Sequence, residues 1–250
     1  MSRFLHLPVA GHPTIRLIGF PHAGGATTAY FALSQRFPPD WDVMFLEYAG
    51  RGRRHRERLA TSFDAVVEDA LQAVDPWTDA PFALFGHGFG AAVARAVALR
   101  LLERGCRPRW VGSSGLTPGR SPVLDRLAGM DDEFMVDWMI DAGGIPEMVR
   151  TTPEFVALTA RVLRADLQCL DGSGELPPLP VPLGVFGGDA DPLAPAADLA
   201  RWAAHCAAGC TVTTFPGGHF YLFGDQLPAL VAAVTAAVRS APWSRPGAVP

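Results

Sequence analysis

No lysine occurs in the 250 residues; all 21 cationic side chains are arginine, against 25 Asp and Glu, for a formal net charge of −4. Nucleic-acid binders usually carry a strong basic excess, so that class is disfavoured. Cysteine is sparse: Cys106, Cys169, Cys206 and Cys210, with no C-x-x-C pair. Such spacing speaks against a metal site or a disulfide framework, and for buried, inert thiols in a reducing compartment. No uncharged apolar run approaches membrane-spanning length. The N-terminus, MSRFLHLPVAGHP, has one arginine and a short apolar patch broken by His6 and Pro8. It has neither the apolar core nor the cleavage site of a signal peptide. These absences predict a soluble cytoplasmic protein with no membrane or nucleic-acid partner, no metal and no cofactor.

What is present is 49% hydrophobic side chains, enough for one sizeable core in a single domain over residues 1–250. The chain is organised around PFALFGHGFGAAVARA at 81–96. Its apolar run at 82–85 suits a buried strand. Gly86-His87-Gly88-Phe89-Gly90 follows and passes into an alanine-rich helix. This has the form of a nucleophile elbow, a sharp strand-turn-helix written G-x-S-x-G. The central position here is Gly88, so the scaffold for a nucleophile is present without its attacking atom.

Strands are predicted at 15–20, 43–46, 82–85, 110–114, 183–186 and 211–215. Helices are predicted at 30–37, 63–74, 89–103, 195–204 and 227–238, with Ser62 capping the second. Alternating strands and helices imply parallel pairing with right-handed crossovers, an α/β fold. The glycine-rich turn after the first strand, PHAGG at 21–25, would leave backbone N–H groups exposed and aimed. The long stretch between the fourth and fifth strands carries helical patterns at 131–142 and 153–170. An insertion of that size on the loop side of a parallel sheet is read as a lid, about 117–180. Phe134, Met135, Trp138, Met139 and Met148 give it adaptable apolar surface, which either packs internally or lines an acyl pocket. The proline-bearing tail from residue 241 reads as loose.

Triad chemistry on this architecture runs nucleophile, acid, histidine along the chain. Asp189 and Asp191, in GGDADP at 187–192, leave the fifth strand, where a carboxylate lies beside the elbow. His219, in PGGHF at 216–220, leaves the sixth. The chain resembles the type II thioesterases of the α/β-hydrolase fold, which edit polyketide and nonribosomal peptide assembly lines. FPHAGG at 20–25, GRGRR at 50–54, FGHGFGA at 85–91, LRAD at 163–166, GGDADP and PGGHF carry the resemblance, in family order. It implies a mostly parallel central sheet with helices on both faces and a helical lid. It also implies Asp191 as the acid, His219 as the base, and the N–H groups of Ala23 and Phe89 as oxyanion donors. Asp189 does not match the acid position. The departure is Gly88, where the family has serine.

His22 and His87 fall at buried or loop-edge positions and read first as structural. His22, with Phe134, Trp138 and Met139, is also a candidate for substrate contact. The arginines at 51–58 read as a solvated loop held by carboxylates such as Glu57, or as a docking surface for an acidic carrier protein or its phosphopantetheine phosphate. Ser113 and Ser114 are spare hydroxyls at a strand end. Three functions remain open from the residues. One is a thioesterase acting on carrier-bound acyl thioesters, with its serine replaced. Another is a non-hydrolytic enzyme using His219 and Asp191 as a proton-transfer pair, such as a cyclase, lyase or isomerase. The last is a silent carrier-binding module.

Overall fold

The computed structural model describes residues 3–9, 11–119, 122–174 and 176–242. The tail expected to be loose lies largely outside them. Seven strands form one sheet: β1 (Phe4–Leu7), β2 (Ile15–Phe20), β3 (Trp41–Leu46), β4 (Phe82–His87), β5 (Trp110–Ser114), β6 (Leu183–Gly188) and β7 (Cys210–Phe215). Their spatial order is β1-β3-β2-β4-β5-β6-β7. All neighbours pair in parallel except β1, which runs antiparallel to β3. The six predicted strands are all present. β1 was not predicted, because His6 and Pro8 break its apolar pattern; it forms an edge strand on β3.

β4 is buried from end to end, as a central parallel strand covered on both faces must be. Helices α1 (Phe31–Ser34), α2 (Phe63–Val74) and α3 (Phe89–Glu103) follow β2, β3 and β4. The helix predicted at 30–37 is shorter than expected. A 3₁₀ turn, Thr27–Tyr30, occupies its start. Ser62 caps α2 as predicted, its side chain accepting from the Ala65 N–H. α3 is buried on nearly every side, which its alanines permit, and packs against β2, β4, β5 and α2.

Between β5 and β6 lie α4 (Pro122–Ala128), α5 (Asp132–Asp141) and α6 (Pro153–Asp171). The last two stand where helical patterns were read; α4 was not foreseen. Asp131 caps α5 by accepting from the Phe134 N–H at 2.8 Å. α7 (Ala196–Leu199) and a 3₁₀ turn, Ala200–His205, share the stretch predicted as one helix. α8 (Leu227–Ser240) closes the order. Among the described residues, no helix is long and apolar enough to cross a membrane.

Candidate active site

The turn between β4 and α3 is as tight as its glycines allow. A Cβ on Gly86 would strike the carbonyl of Gly90, and one on Gly90 would strike the carbonyl of Phe20. Gly88, between them, has φ +54° and ψ −119°, a conformation that side-chain-bearing residues adopt only under strain. Its N–H donates to the Ser114 carbonyl at 2.8 Å, tying the elbow to β5.

His219 arrives on the loop after β7. Its Nδ1 lies 2.8 Å from Asp191 Oδ2, and both residues are buried. A carboxylate only accepts, so Nδ1 carries the proton and Nε2 of the neutral ring presents a lone pair. The other Asp191 oxygen accepts from the N–H groups of Leu193 at 2.8 Å and Ala194 at 3.1 Å, which fixes the carboxylate. Asp189 is exposed and accepts from the Gly217 N–H at 2.9 Å, so it shapes the His219 loop without touching the ring. A Cβ built on Gly88 would sit 3.4 Å from His219 Nε2. An oxygen on that carbon would fall within hydrogen-bonding reach of the imidazole.

The turn after β2 faces the same spot. The His22 N–H donates to the Tyr30 hydroxyl, Gly24 N–H to Asp166 Oδ2 and Gly25 N–H to the His22 carbonyl. Ala23 N–H is left without a partner among the described residues. So is Phe89 N–H, one of the orphan donors at the start of α3. Both residues border one cavity of about 670 Å³, together with Gly88 and His219.

Three imidazoles crowd this point. The His87 and His219 ring centroids are 4.6 Å apart, and those of His22 and His87 6.2 Å. Gly115 makes room for them, since a Cβ there would press on both His87 and His219. His22 Nε2 lies 3.1 Å from the Gly144 carbonyl and must donate; its Nδ1 then accepts from the Tyr30 hydroxyl at 2.8 Å. Burial, with the nearby His219, drives its pKa down to about 3, so His22 is a neutral strut between the turn and the insertion. His87 bonds Ser114 Oγ at 2.9 Å, and Ser114 bonds the Tyr221 hydroxyl at 2.7 Å. Burial lowers the His87 pKa strongly as well. Ser114 is thus engaged in strand-end bonding, while Ser113 Oγ is buried without a partner among the described residues.

Of the candidates for substrate contact, His22 and Met139 border the cavity. Phe134 points outward, 49% exposed, and Trp138 packs against the core instead. Met139 and Phe134 lie on different faces of α5, and which face is buried is set by packing rather than by periodicity. The arginine loop also divides. Arg51 and Arg54 turn inward while Arg53, Arg56 and Arg58 remain exposed. Arg51 makes a two-pronged pair with Asp166 on α6 at 2.5 and 2.7 Å. Arg54 pairs with Glu57 and Asp69. The expected tie to Glu57 is present at Arg54, but Arg51 and Arg54 are buried rather than solvated and are held also by the distant Asp166 and Asp69, which that reading did not anticipate. Among the described residues no group of histidines, cysteines and carboxylates is placed to hold a metal ion.

Residues 15–238 match the thioesterase domain family. The chain is 32% identical over 211 residues to a probable cadicidin biosynthesis thioesterase of Streptomyces griseus, covering 83% of this chain and 58% of that protein. It is 32% identical over 225 residues to thioesterase PikA5 of Streptomyces venezuelae, covering 87% and 78% respectively. The solved structure of RedJ, a thioesterase from the prodiginine biosynthetic pathway in Streptomyces coelicolor, superposes with a TM-score of 0.81 at 28% identity, over 92% of this chain and 95% of that one. The sheet order and the strand-turn-helix at Gly88 accord with that likeness, and the architecture is the α/β-hydrolase fold. With a family match over nearly the whole sheet and relatives about one-third identical across most of its length, the chain belongs to the thioesterase domain family.

Proposed function

We propose that this is a type II thioesterase-like protein of polyketide or nonribosomal peptide biosynthesis, and that Gly88 stands where a nucleophilic serine belongs. Its site receives acyl thioesters borne on the phosphopantetheine arm of an acyl or peptidyl carrier protein. One observation carries the reading: the open position above Gly88, 3.4 Å from His219 Nε2. Asp191 holds His219 in the tautomer whose Nε2 accepts a proton. Ala23 and Phe89 offer free N–H groups where a carbonyl oxygen would become an oxyanion. Relatives named for cadicidin biosynthesis and the prodiginine biosynthetic pathway support the substrate class. The segment 117–180 acts as a lid over the cavity.

With no side chain at residue 88, no acyl-enzyme forms there. Hydrolysis by the chain as it stands needs water in the open position. His219 Nε2 takes the water proton as its oxygen attacks the thioester carbon. The same proton then passes to the departing sulfur. Loss of a serine nucleophile costs on the order of 10⁶ in turnover, with roughly 10³–10⁴ retained over water through binding and the oxyanion donors.

The test compares the chain as it stands, Gly88→Ser and His219→Ala on acyl thioesters of a carrier protein. Gly88→Ser should hydrolyse on the order of 10³-fold faster or more and show a covalent acyl adduct by mass spectrometry. Absence of both gains sinks the reading. A His219-dependent conversion other than hydrolysis by the chain as it stands would replace it with proton-transfer chemistry. Tight carrier binding with no conversion by any variant would leave a silent binding module.

A further inference from the structure

Among the described residues three arginines are buried: Arg51, Arg54 and Arg95. Arg51 has Asp166, and Arg54 has Glu57 and Asp69. Arg95 has no carboxylate among the described residues. Its Nη2 donates to two backbone carbonyls, Leu176 at 2.8 Å and Pro177 at 2.7 Å. Its Nε is buried with no acceptor, and its Nη1 makes no hydrogen bond among the described residues. Yet the side chain is only 5% exposed, and the guanidinium lies over the Trp202 ring, 5.4 Å from its centroid. A guanidinium withdrawn from water without a counter-charge is costly, and proteins rarely retain one unless something else supplies the charge. Its pKa is lowered by that burial, whereas that of Arg51 is raised despite desolvation, by its carboxylate.

Position says what would supply the charge. Gly88, Ala92 and Arg95 follow one stripe of the helix leaving the elbow, and all three border the 670 Å³ cavity. Seven residues of helix rise about 10 Å, so Arg95 lies well inside the chamber, at the distance of an acyl chain's far end from its carbonyl. Arg201 and His205 border the same region. The carboxylates of Asp125 and Asp171 also border the cavity, but each already has a partner.

We infer that Arg95 determines specificity, pairing with a carboxylate at the distal end of the acyl group, so that the preferred substrate is a thioester of a dicarboxylic acid. Both hydrogens of Nη2 are taken by the two carbonyls and Nε–H is buried on that same edge, so Nη1 is the donor left to meet a carboxylate, in a charge-assisted hydrogen bond. The inference rests on the acyl-thioester reading and names the substrate class of the same site.

Because residue 88 supplies no nucleophile, the chain as it stands is suited to equilibrium binding measurements. Titration calorimetry would use N-acetylcysteamine thioesters of adipic, suberic and sebacic acids, their distal methyl esters, and the octanoyl thioester. At least one free acid should bind about ten-fold or more tighter than its methyl ester, the range of a hydrogen bond to a charged group. Arg95→Met should abolish that preference and leave methyl-ester affinity within about two-fold, while Arg95→Lys should keep part of it. Equal binding of acids and esters by the chain as it stands overturns the inference, and needs no variant to fold. So does a preference that persists in Arg95→Met. Equal weakening of unacylated phosphopantetheine in Arg95→Met would assign the charge to phosphate and overturn it too. Binding of octanoyl thioester without acid preference leaves the thioester reading standing. Failure of every thioester to bind removes both.

Discussion

Gly88 has a backbone that a serine would occupy only under strain. At φ +54° and ψ −119°, a side chain costs roughly 1–3 kcal/mol. Gly88→Ser is therefore expected to lower stability by that amount, read as a fall in the urea midpoint, even as it confers hydrolysis. An unchanged or higher midpoint would show that the elbow is not strained. His22 makes a separate prediction. Its pKa falls to about 3 in the fold, against about 6.5 unfolded, because burial disfavours the charged ring. The unfolded chain thus binds a proton that the folded chain refuses. Stability from this group is complete above about pH 6.5 and is lost as pH falls toward 3, by up to about 1.4 kcal/mol per pH unit. Buried His87 adds in the same direction. Urea midpoints of His22→Phe between pH 6.5 and 4.5 should fall less steeply than those of the parent. Parallel slopes would refute the assignment. The elbow's strain was legible in the glycine motif, and His22 and His87 read as structural at buried or loop-edge positions, but the neutrality of these rings was not legible, since it comes from packing.

α6 locks two distant turns together. Asp166 accepts two bonds from Arg51 and one from the Gly24 N–H at 2.8 Å, beside the free N–H of Ala23. Asp166→Ala would strand a buried guanidinium, and such breaks cost about 3–5 kcal/mol. The expected result is a loss of that size in chemical denaturation, with most of it recovered in Arg51→Met/Asp166→Leu. Equal loss in the double variant would mean the pair is not the cause. LRAD at 163–166 was recognisable as a family motif, but its work was not, since Arg51 and Asp166 lie 115 residues apart. The bounds of α2 and α3 were legible in full, because Ser62, the apolar stripe and the elbow glycines are local signals. β4 extends past its predicted end because Gly86 and His87 pair with Ser113 and Ser114, a contact no local pattern records.

Across the molecule, strands β2 to β6 form a nearly continuous buried core, whereas the insertion between β5 and β6 shows large exposed apolar side chains at Met130, Phe134, Met148, Phe155 and Leu158. Local opening is easiest where buried apolar contact is least. Amides of α5 should therefore exchange with deuterium well before those of β4, and an acyl thioester bound in the cavity should slow them. Exchange in α5 as slow as in β4 would argue against a lid. The insertion's place between β5 and β6 was legible from the length of chain between the two strands, whereas its motion was not.

Chain order of the motifs, the parallel alternation and the missing oxygen at residue 88 were all determined by sequence alone, because periodicity and residue chemistry are local. Tertiary structure decided which groups meet. It brought together His22 from the turn after β2, His87 from the end of β4 and His219 from the loop after β7, and left Ala23 N–H and Phe89 N–H without partners among the described residues. It turned Arg51 and Arg54 inward, Phe134 outward, and set Arg95 uncompensated in the chamber wall. Burial depends on what a face packs against, and those partners lie tens to more than a hundred residues away along the chain.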